Sequence, residues 1–531
     1  MKKKGILCLV LVGALLLGVL SACTPAAPQQ PTETATPAAQ QQTSVTPSPP
    51  TATDELGRVV TLAAISEPPS VAPGRHTALI GQFLNMSTHN GLFRLNYEDL
   101  MPLPDLIASY TALSDTLFEF VLYEGILFHN GEEMTAHDVI TSLEYLRNYP
   151  EAFVAHGSID SMAVIDRYTF TLDTGTPNAM LFFDLTHHGN MILPAALIES
   201  GHDFQANPVG SGPFVFDEWR FGDAIHFSAF EDYFDRDRAS MIEGFVWRVI
   251  PEGASRTIAL EINEIDYIVD VPFPDIARLQ DNPDVTVFYR PGVAHNRMEM
   301  NNEHQYFSNV NIRRAIDMSF DKEAMAIAGF DGWAIPVWTP VPPQHPGVSF
   351  EGINSFDPEG ARALLEQEGI VPGQIEFEMI VTAEAGRRIA EVAQANLADI
   401  GITATIVQMD FAAWLGLHPT GNWEANFGGF TGQGNLLNFM RAKMHIEGIG
   451  AQNISRIYNR ELTDLIDQAI ATIDPIERIA VLENATRVAN EHVAVVPTHM
   501  NITVRAFNSN LVSPEIAANG AMFLNTVFWA E

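Results

Sequence analysis

Apolar and polar residues alternate over residues 116–122, the two-residue period of a strand with one buried face, and Gly125 then turns the chain. Residues 126–128 are short and apolar and Asn130-Gly131 is a strong turn signal, so this stretch reads as a hairpin-like region. The period changes at Thr135. Val139, Leu143 and Leu146 share one helical face, and Thr135 with Asp138 three residues on is close to a capping box, which predicts a helix to about Arg147. Upstream, residues 58–65 read as a strand that ends before a Pro68-Pro69 loop.

The second half is richer in helix. Residues 375–381 read as a strand, 387–400 as a helix stopped by Gly401, and 402–409 as another strand. Together they predict a right-handed βαβ unit and therefore a parallel sheet. Asp357-Pro358 starts a helix that Gly369 ends, residues 309–319 give another, and residues 462–473 and 475–491 form a helix pair hinged at Asp474-Pro475. No internal repeat at solenoid or propeller spacing is present.

The first fifty residues break both patterns. Lys2, Lys3 and Lys4 precede an apolar run over residues 6–20, which is shorter than the roughly 20 residues that cross a bilayer and so reads as an export signal. From Thr24 to Thr53 the chain is almost wholly Thr, Pro, Ala and Gln. Such a segment cannot bury enough apolar area to offset its ordering entropy, and it reads as an extended tether.

Composition then narrows the function. The 531 residues carry 65 acidic and 29 basic side chains, a formal charge of −36, and 47% apolar residues. Length suggests about two to four domains, and the apolar fraction is that of globular protein. A surface this acidic repels a phosphate backbone, so a nucleic-acid partner is excluded. The two cysteines, Cys8 and Cys23, both precede any domain, so there is no disulfide scaffold. Removing the signal takes three of five lysines and leaves Lys322 and Lys443.

No catalytic motif emerges. HExxH and Walker A sequences are absent, and Gly210-Ser211-Gly212 lacks the third glycine of a dinucleotide loop and is no GxSxG elbow. His129, Glu132, Glu133, His137 and Asp138 lie close in sequence, as do His187 with His188 and His295 with His304; metal binding is the weaker reading of each group, and no cofactor is expected. A better lead lies between Asp410 and Phe439, where Phe411, Trp414, Trp423, Phe427 and Phe430 interleave with Gly428, Gly429, Gly432 and Gly434. Glycines let backbone approach a ligand and aromatic faces supply contact area, although core packing around a loop explains the mixture equally well. Trp333 and Trp338 carry the same ambiguity.

Four segments resemble one family. They are residues 91–147, which include FHNGEEMTAHDV; NPVGSGPFVFDEW at 207–219; NIRRAIDMSFDKEAM at 311–325; and FDPEGARALLEQEG at 356–369. In this order they are similar to the family 5 extracellular solute-binding proteins, the dipeptide-, oligopeptide- and nickel-binding components of ABC importers. Leu20-Ser21-Ala22-Cys23 likewise resembles a bacterial lipobox, in which Cys23 is lipidated and becomes the N-terminus.

The resemblance implies an α/β, two-lobed periplasmic-binding-protein fold of type II, in its large three-domain form with a hinge between lobes. The implied division is a signal peptide at 1–22, lipidated Cys23 and tether at 23–53, a discontinuous first domain at 54–89, 189–290 and 497–531, a second at 90–188, and a third at 291–496. It implies a non-enzymatic monomer, anchored by lipid outside the cytoplasm, that captures a peptide between the lobes for a membrane permease and ATPase. In the dipeptide-type proteins an Asp pairs with the peptide ammonium, and Asn435 stands at that position here. Asp410 is then the substitute carboxylate, or the ligand is a sugar stacked on Trp414 and Trp423 or a nickel chelate contacted by Arg297, Arg441 and His445. A ligand-presenting signalling receptor is a further alternative. The expected ligand contacts are Asn435, Asp410, Trp414, Trp423, Phe430, Arg297 and Trp333.

Overall fold

Two long antiparallel strands, Val285–Met300 and Val496–Asn508, run through the middle of an 11-stranded sheet. The computed structural model describes residues 58–530 apart from 76–78, 97, 99, 150–157, 431–434 and 513–514; the export signal, Cys23 and the tether lie outside the described residues. Sequence explains why the long pair changes partners midway. Pro291 has no N–H for the ladder, and the register shifts between Pro291 and His295, so Gly292, Val293 and Ala294 stand opposite Asn501 alone. A Cβ on Gly292 would lie 2.9 Å from the Asn501 carbonyl oxygen, which makes glycine the residue that fits. The bulged backbone is still satisfied: Val293 N–H donates to the Ala518 carbonyl at 3.0 Å, and the Gln344 amide donates to the Gly292 carbonyl at 3.0 Å.

On one side of this break the sheet continues from Val496–Asn508 through Tyr267–Ile268, Val60–Ala64, Gly244–Val249 and Ala224–Ala229 to Phe214–Arg220. Trp247, Phe245, Phe227 and Phe214 are buried beneath it. On the other side, Val285–Met300 pairs with Ala425–Phe430, followed by Glu376–Val381 and Thr403–Gln408. These last strands are parallel and joined by helix Glu384–Asp399, with Gly401 at φ +81°, so the expected βαβ unit is present. The helix begins three residues before the predicted Arg387 because Ala383, which makes no side-chain cap, leaves no sequence mark of the start.

The hairpin-like region is corrected at its first strand. Leu117–Leu122 does not pair across Gly125 with residues 126–128; it lies between Ile107–Ala112 and Thr169–Asp173 in a four-stranded antiparallel sheet completed by Ser161–Val164. Phe118, Phe120 and Leu122 face inward, and Phe120 stacks on Phe170 at 5.4 Å, a packing that three apolar residues across a turn cannot supply. The Asn130-Gly131 turn itself is present: Leu127 bridges Glu133, Phe128 N–H donates to the Glu132 carbonyl at 2.9 Å and Met134 N–H to the Ile126 carbonyl at 2.8 Å, so residues 126–128 fold back on 132–134. The neighbouring helix, Ala136–Leu146, starts as expected, with Thr135 N–H donating to Asp138 at 2.8 Å.

The Val209–Phe214 turn fits tightly against the end of helix Leu79–Thr88: a Cβ on Gly212 would stand 2.5 Å from the Thr88 backbone. His129 ties the turn to the Asn130-Gly131 loop. Its Nε2 donates to the Gly212 carbonyl at 3.0 Å and its Nδ1 accepts from Gly210 N–H at 3.4 Å. Both nitrogens are therefore engaged, Glu133 accepts from Tyr168 and Gly125, and Asp138 caps a helix, so the His129 to Asp138 group is structural. Among the described residues no cluster of three metal-ligating side chains occurs.

Burial holds six described histidines far below their ordinary value: His89 and His295 at about 3, and His129, His345, His492 and His499 at about 4. Such a histidine takes up its proton first in the unfolded chain, so stability is complete above the unfolded value of about 6.5 and is lost as pH falls toward 4. Urea denaturation is expected to show a midpoint that drops steadily from pH 7 to pH 5, by up to about 1.4 kcal/mol per pH unit for each histidine. A flat midpoint over that range would contradict the burial of these rings.

Candidate functional site

A cavity of about 400 Å³ opens beside the bulge, on the side of the sheet that holds the βαβ unit. The long strand contributes Asn296, Arg297 and Glu299, and its neighbour contributes Asn426 to Gly429. Thr382 and Ala383 lie just past the C-terminal end of strand Glu376–Val381, the usual place for a ligand in an open α/β sheet. Phe411 and Trp414 of helix Phe411–Leu417, Lys443 of helix Leu436–Met444, and Thr498 and His499 of the second long strand close the rest.

Local sequence explains the inner wall. Arg297 and Glu299 are two apart on a strand and so share a face. Both are nearly inaccessible, at 1% and 3% exposure, and Arg297 donates from Nε at 3.0 Å and Nη2 at 2.7 Å to the same Glu299 oxygen. The Arg297 guanidinium also sits 5.5 Å from the Phe439 ring. Gly428 and Gly429 make room for this polar layer. A Cβ on Gly428 would lie 2.9 Å from Asn426 Oδ1 and 3.5 Å from Glu299 Oε2, and a Cβ on Gly429 would clash with Asn296. The glycines thus permit close approach, as their spacing suggested, but the approaching groups are the protein's own side chains.

Two further polar groups border the cavity. Lys443 donates to Gln452 Oε1 at 2.9 Å, and burial, reinforced by Arg297 and opposed by Glu299, brings its ammonium down to about 8. His499 is 2% exposed; its Nδ1 lies 3.0 Å from the Thr498 hydroxyl, its ring lies 4.7 Å from Phe330, and its buried Nε2 has no hydrogen-bond partner.

Of the expected ligand contacts, Arg297 and Trp414 border this cavity, as do Phe411, Phe427, Gly428 and Gly429 of the aromatic and glycine segment. Trp423 does not: it packs edge to face on Trp414 at 5.2 Å, its indole N–H donates to the His418 carbonyl at 3.1 Å, and both rings are about 95% buried with Ile380. The expected platform of two tryptophans side by side is therefore not formed in this cavity, where Trp414 alone of the two borders the space. Asn435 caps helix Leu436–Met444 by accepting from Asn438 N–H at 3.2 Å, and Asp410 accepts from Ala413 N–H at 3.3 Å at the start of helix Phe411–Leu417. Trp333 packs edge-on against Tyr289 at 5.4 Å in a different core, and His445 and Arg441 lie outside the cavity wall, so they do not join Arg297 there. The Phe430 side chain and residues 431–434 lie outside the described residues.

Sequence reasoning missed Glu299, Lys443 and His499. One signal was available: Lys322 and Lys443 are the two lysines after the signal segment, and both are buried, Lys322 against Asp317 at 2.8 Å. Charges at Arg297 and Glu299 between Met298 and Met300 were another.

The arrangement has relatives. A family model described as bacterial extracellular solute-binding proteins, family 5 (middle region), matches residues 102–442. The glutathione-binding protein GsiB of Escherichia coli is 25% identical over 456 residues, covering 81% of this chain and 87% of that protein. Among solved structures, HbpA2 from Haemophilus parasuis aligns with a TM-score of 0.80 at 21% identity, covering 90% of this chain and 100% of that one. DppA from Helicobacter pylori, solved with the peptide STSA, aligns with a TM-score of 0.77 at 22% identity, covering 90% and 99%.

Glu299→Gln leaves the Arg297 guanidinium buried without its carboxylate and is expected to cost about 3 kcal/mol in urea denaturation. The double change Arg297→Met with Glu299→Leu removes both charges and is expected to recover most of that loss. Equal stability of Glu299→Gln and the unaltered chain would refute the pairing.

Proposed function

Because the chain belongs to the bacterial extracellular solute-binding proteins of family 5, we propose that it is a receptor for a short peptide, taken up in the cavity beside the bulge. Such proteins are extracytoplasmic, and among the described residues no helix is long and apolar enough to cross a membrane. The receptor hands its solute to a permease and ATPase of the ABC type and breaks no bond. The observation that carries this reading is the cavity itself. Its 400 Å³ is within the range for small-ligand sites, and it is lined by a few fixed polar groups among aromatic and aliphatic walls. The relative named for binding glutathione supports a ligand of tripeptide size.

The bulge gives this reading a moving part. The two long strands cross from one half of the sheet to the other at Pro291–His295 and Met500–Ile502, and they are the hinge about which two lobes close on the ligand. The three-domain division at 54–89 with 189–290 and 497–531, at 90–188, and at 291–496 belongs to this proposal. So do a monomeric state and lipidation at Cys23, with residues 24–53 as the tether.

A tripeptide mixture and glutathione, each titrated into the full chain in detergent, test the binding role. At about 100-fold excess over the dissociation constant, stabilisation is about 2.7 kcal/mol, so the melting temperature is expected to climb with ligand concentration. A melting temperature indifferent to every peptide offered would remove the peptide reading. For the anchor, radiolabelled palmitate is expected to enter the native protein and not the Cys23→Ala variant; equal labelling of both rules out Cys23 as the lipid site.

A further inference from the structure

Met180 and Leu181 are neighbours in the chain and belong to different cores. Leu181 is buried with Phe118, Phe120 and Phe170 against the four-stranded antiparallel sheet, and Leu185 follows it there one turn later. Met180, 1% exposed, belongs instead to the core formed by helices Leu436–Met444, Arg460–Ala471 and Pro475–His492. Every other buried residue of that core lies between Val341 and Val495. The short helix Leu181–Asp184 has one side toward each core: Phe182 meets Phe93 edge to face at 5.2 Å and Phe118 at 5.5 Å, whereas Phe183 packs against the helical core.

Local bonds fix Met180 in this pose. Gly175, at φ +67°, turns the chain out of strand Thr169–Asp173. The Met180 N–H donates to Asn178 Oδ1 at 2.9 Å, and its carbonyl accepts from Asp184 N–H at 2.9 Å. A backbone hydrogen bond then joins the two sides, from Ala179 N–H to the Ile470 carbonyl at 2.9 Å near the end of helix Arg460–Ala471. Burial also lifts the Asp184 carboxyl of this segment to about 7, opposed by a hydrogen bond from Ser158 and by the charge of Arg441 on helix Leu436–Met444.

This junction is small beside the cores it joins, and the chain itself passes between the two sides through the long strands at the bulge. A contact of one thioether, part of one ring and one peptide group can part without unfolding either core. Methionine, flexible and polarisable, suits a surface that is repeatedly made and broken.

We propose that residues 178–184 form a latch: Met180, carried by one lobe, plugs into the core of the other, holds the lobes together over an enclosed solute and withdraws when they part. The inference rests on the solute-receptor reading and its hinge, and adds a residue that sets affinity without lining the cavity.

The test uses methionine as its own probe, because peroxide oxidises a thioether to the sulfoxide according to its access. The unaltered full chain in detergent, dialysed free of solute, is treated briefly with dilute hydrogen peroxide, and sulfoxide is read at each methionine by peptide mass spectrometry. Met134 and Met379, each buried within a single core, set the slow rate. Met180 is expected to oxidise about tenfold faster than these two without solute, and to slow to their rate in a saturating tripeptide mixture. Oxidation of Met180 as slow as that of Met134 without solute overturns the latch, because the two cores are then one permanent body. A Met180 rate unchanged by a mixture that raises the melting temperature also overturns it. Met180→Ser is expected to weaken binding of the mixture about tenfold by lowering the closed population, and Met180→Leu to keep most of the affinity. A Met180→Ser chain that melts lower yet binds as tightly reveals packing alone and overturns the inference. If the mixture never shifts the melting temperature, the peptide reading fails, and the rates of Met180 and Met134 decide the latch by themselves.

Discussion

Where Val285–Met300 runs against Val496–Asn508, the peptide groups of both strands need partners, and the ladder supplies them on either side of Pro291 but not through it. Proline removes a donor, glycine fills the one place where a side chain would meet the Asn501 carbonyl, and three residues bulge opposite one. This interruption lets one sheet serve two halves of the molecule. On one side the strands join a core built on Trp247 and Phe245; on the other they present Asn296, Arg297 and Glu299 to a cavity. The site is therefore an outgrowth of the crossing, and a rigid, uninterrupted pair would hold the polar face in another register.

The polar face is held at the expense of stability rather than in its service. A buried ion pair such as Arg297 with Glu299 returns little net free energy. Their retention beside a cavity, with Gly428 and Gly429 leaving space for them, is what a binding role explains and a packing role does not. Arg313 offers a contrast. It is buried to the same degree, but its guanidinium donates to the carbonyls of Phe307, His492 and Val493 and so ties separate parts of the chain together.

Much of the fold was legible because its signals are local. The capping pair Thr135 and Asp138, the Asp357-Pro358 helix start and the stop at Gly401 each act within one turn of the chain, and each stands where the pattern put it. The Asn130-Gly131 turn formed as read, whereas the strand partners of Leu117–Leu122 were missed because they lie about ten and fifty residues away, at a distance that no turn signal reports. The site was less legible for the same reason. Arg297, Lys443 and His499 come from three separate elements, and only the sheet brings them together. The aromatic and glycine segment pointed to the right region, yet Trp423 packs edge to face on Trp414 there and the glycines accommodate side chains of the neighbouring strand.

Native mass spectrometry of the full chain, released gently from detergent after mild purification, tests most directly whether this protein is a solute receptor. The expected spectrum shows a fraction of the protein carrying one small noncovalent adduct of peptide mass, lost on denaturation and restored by adding back the released material. A spectrum of bare protein that stays bare after incubation with a peptide mixture would contradict that function.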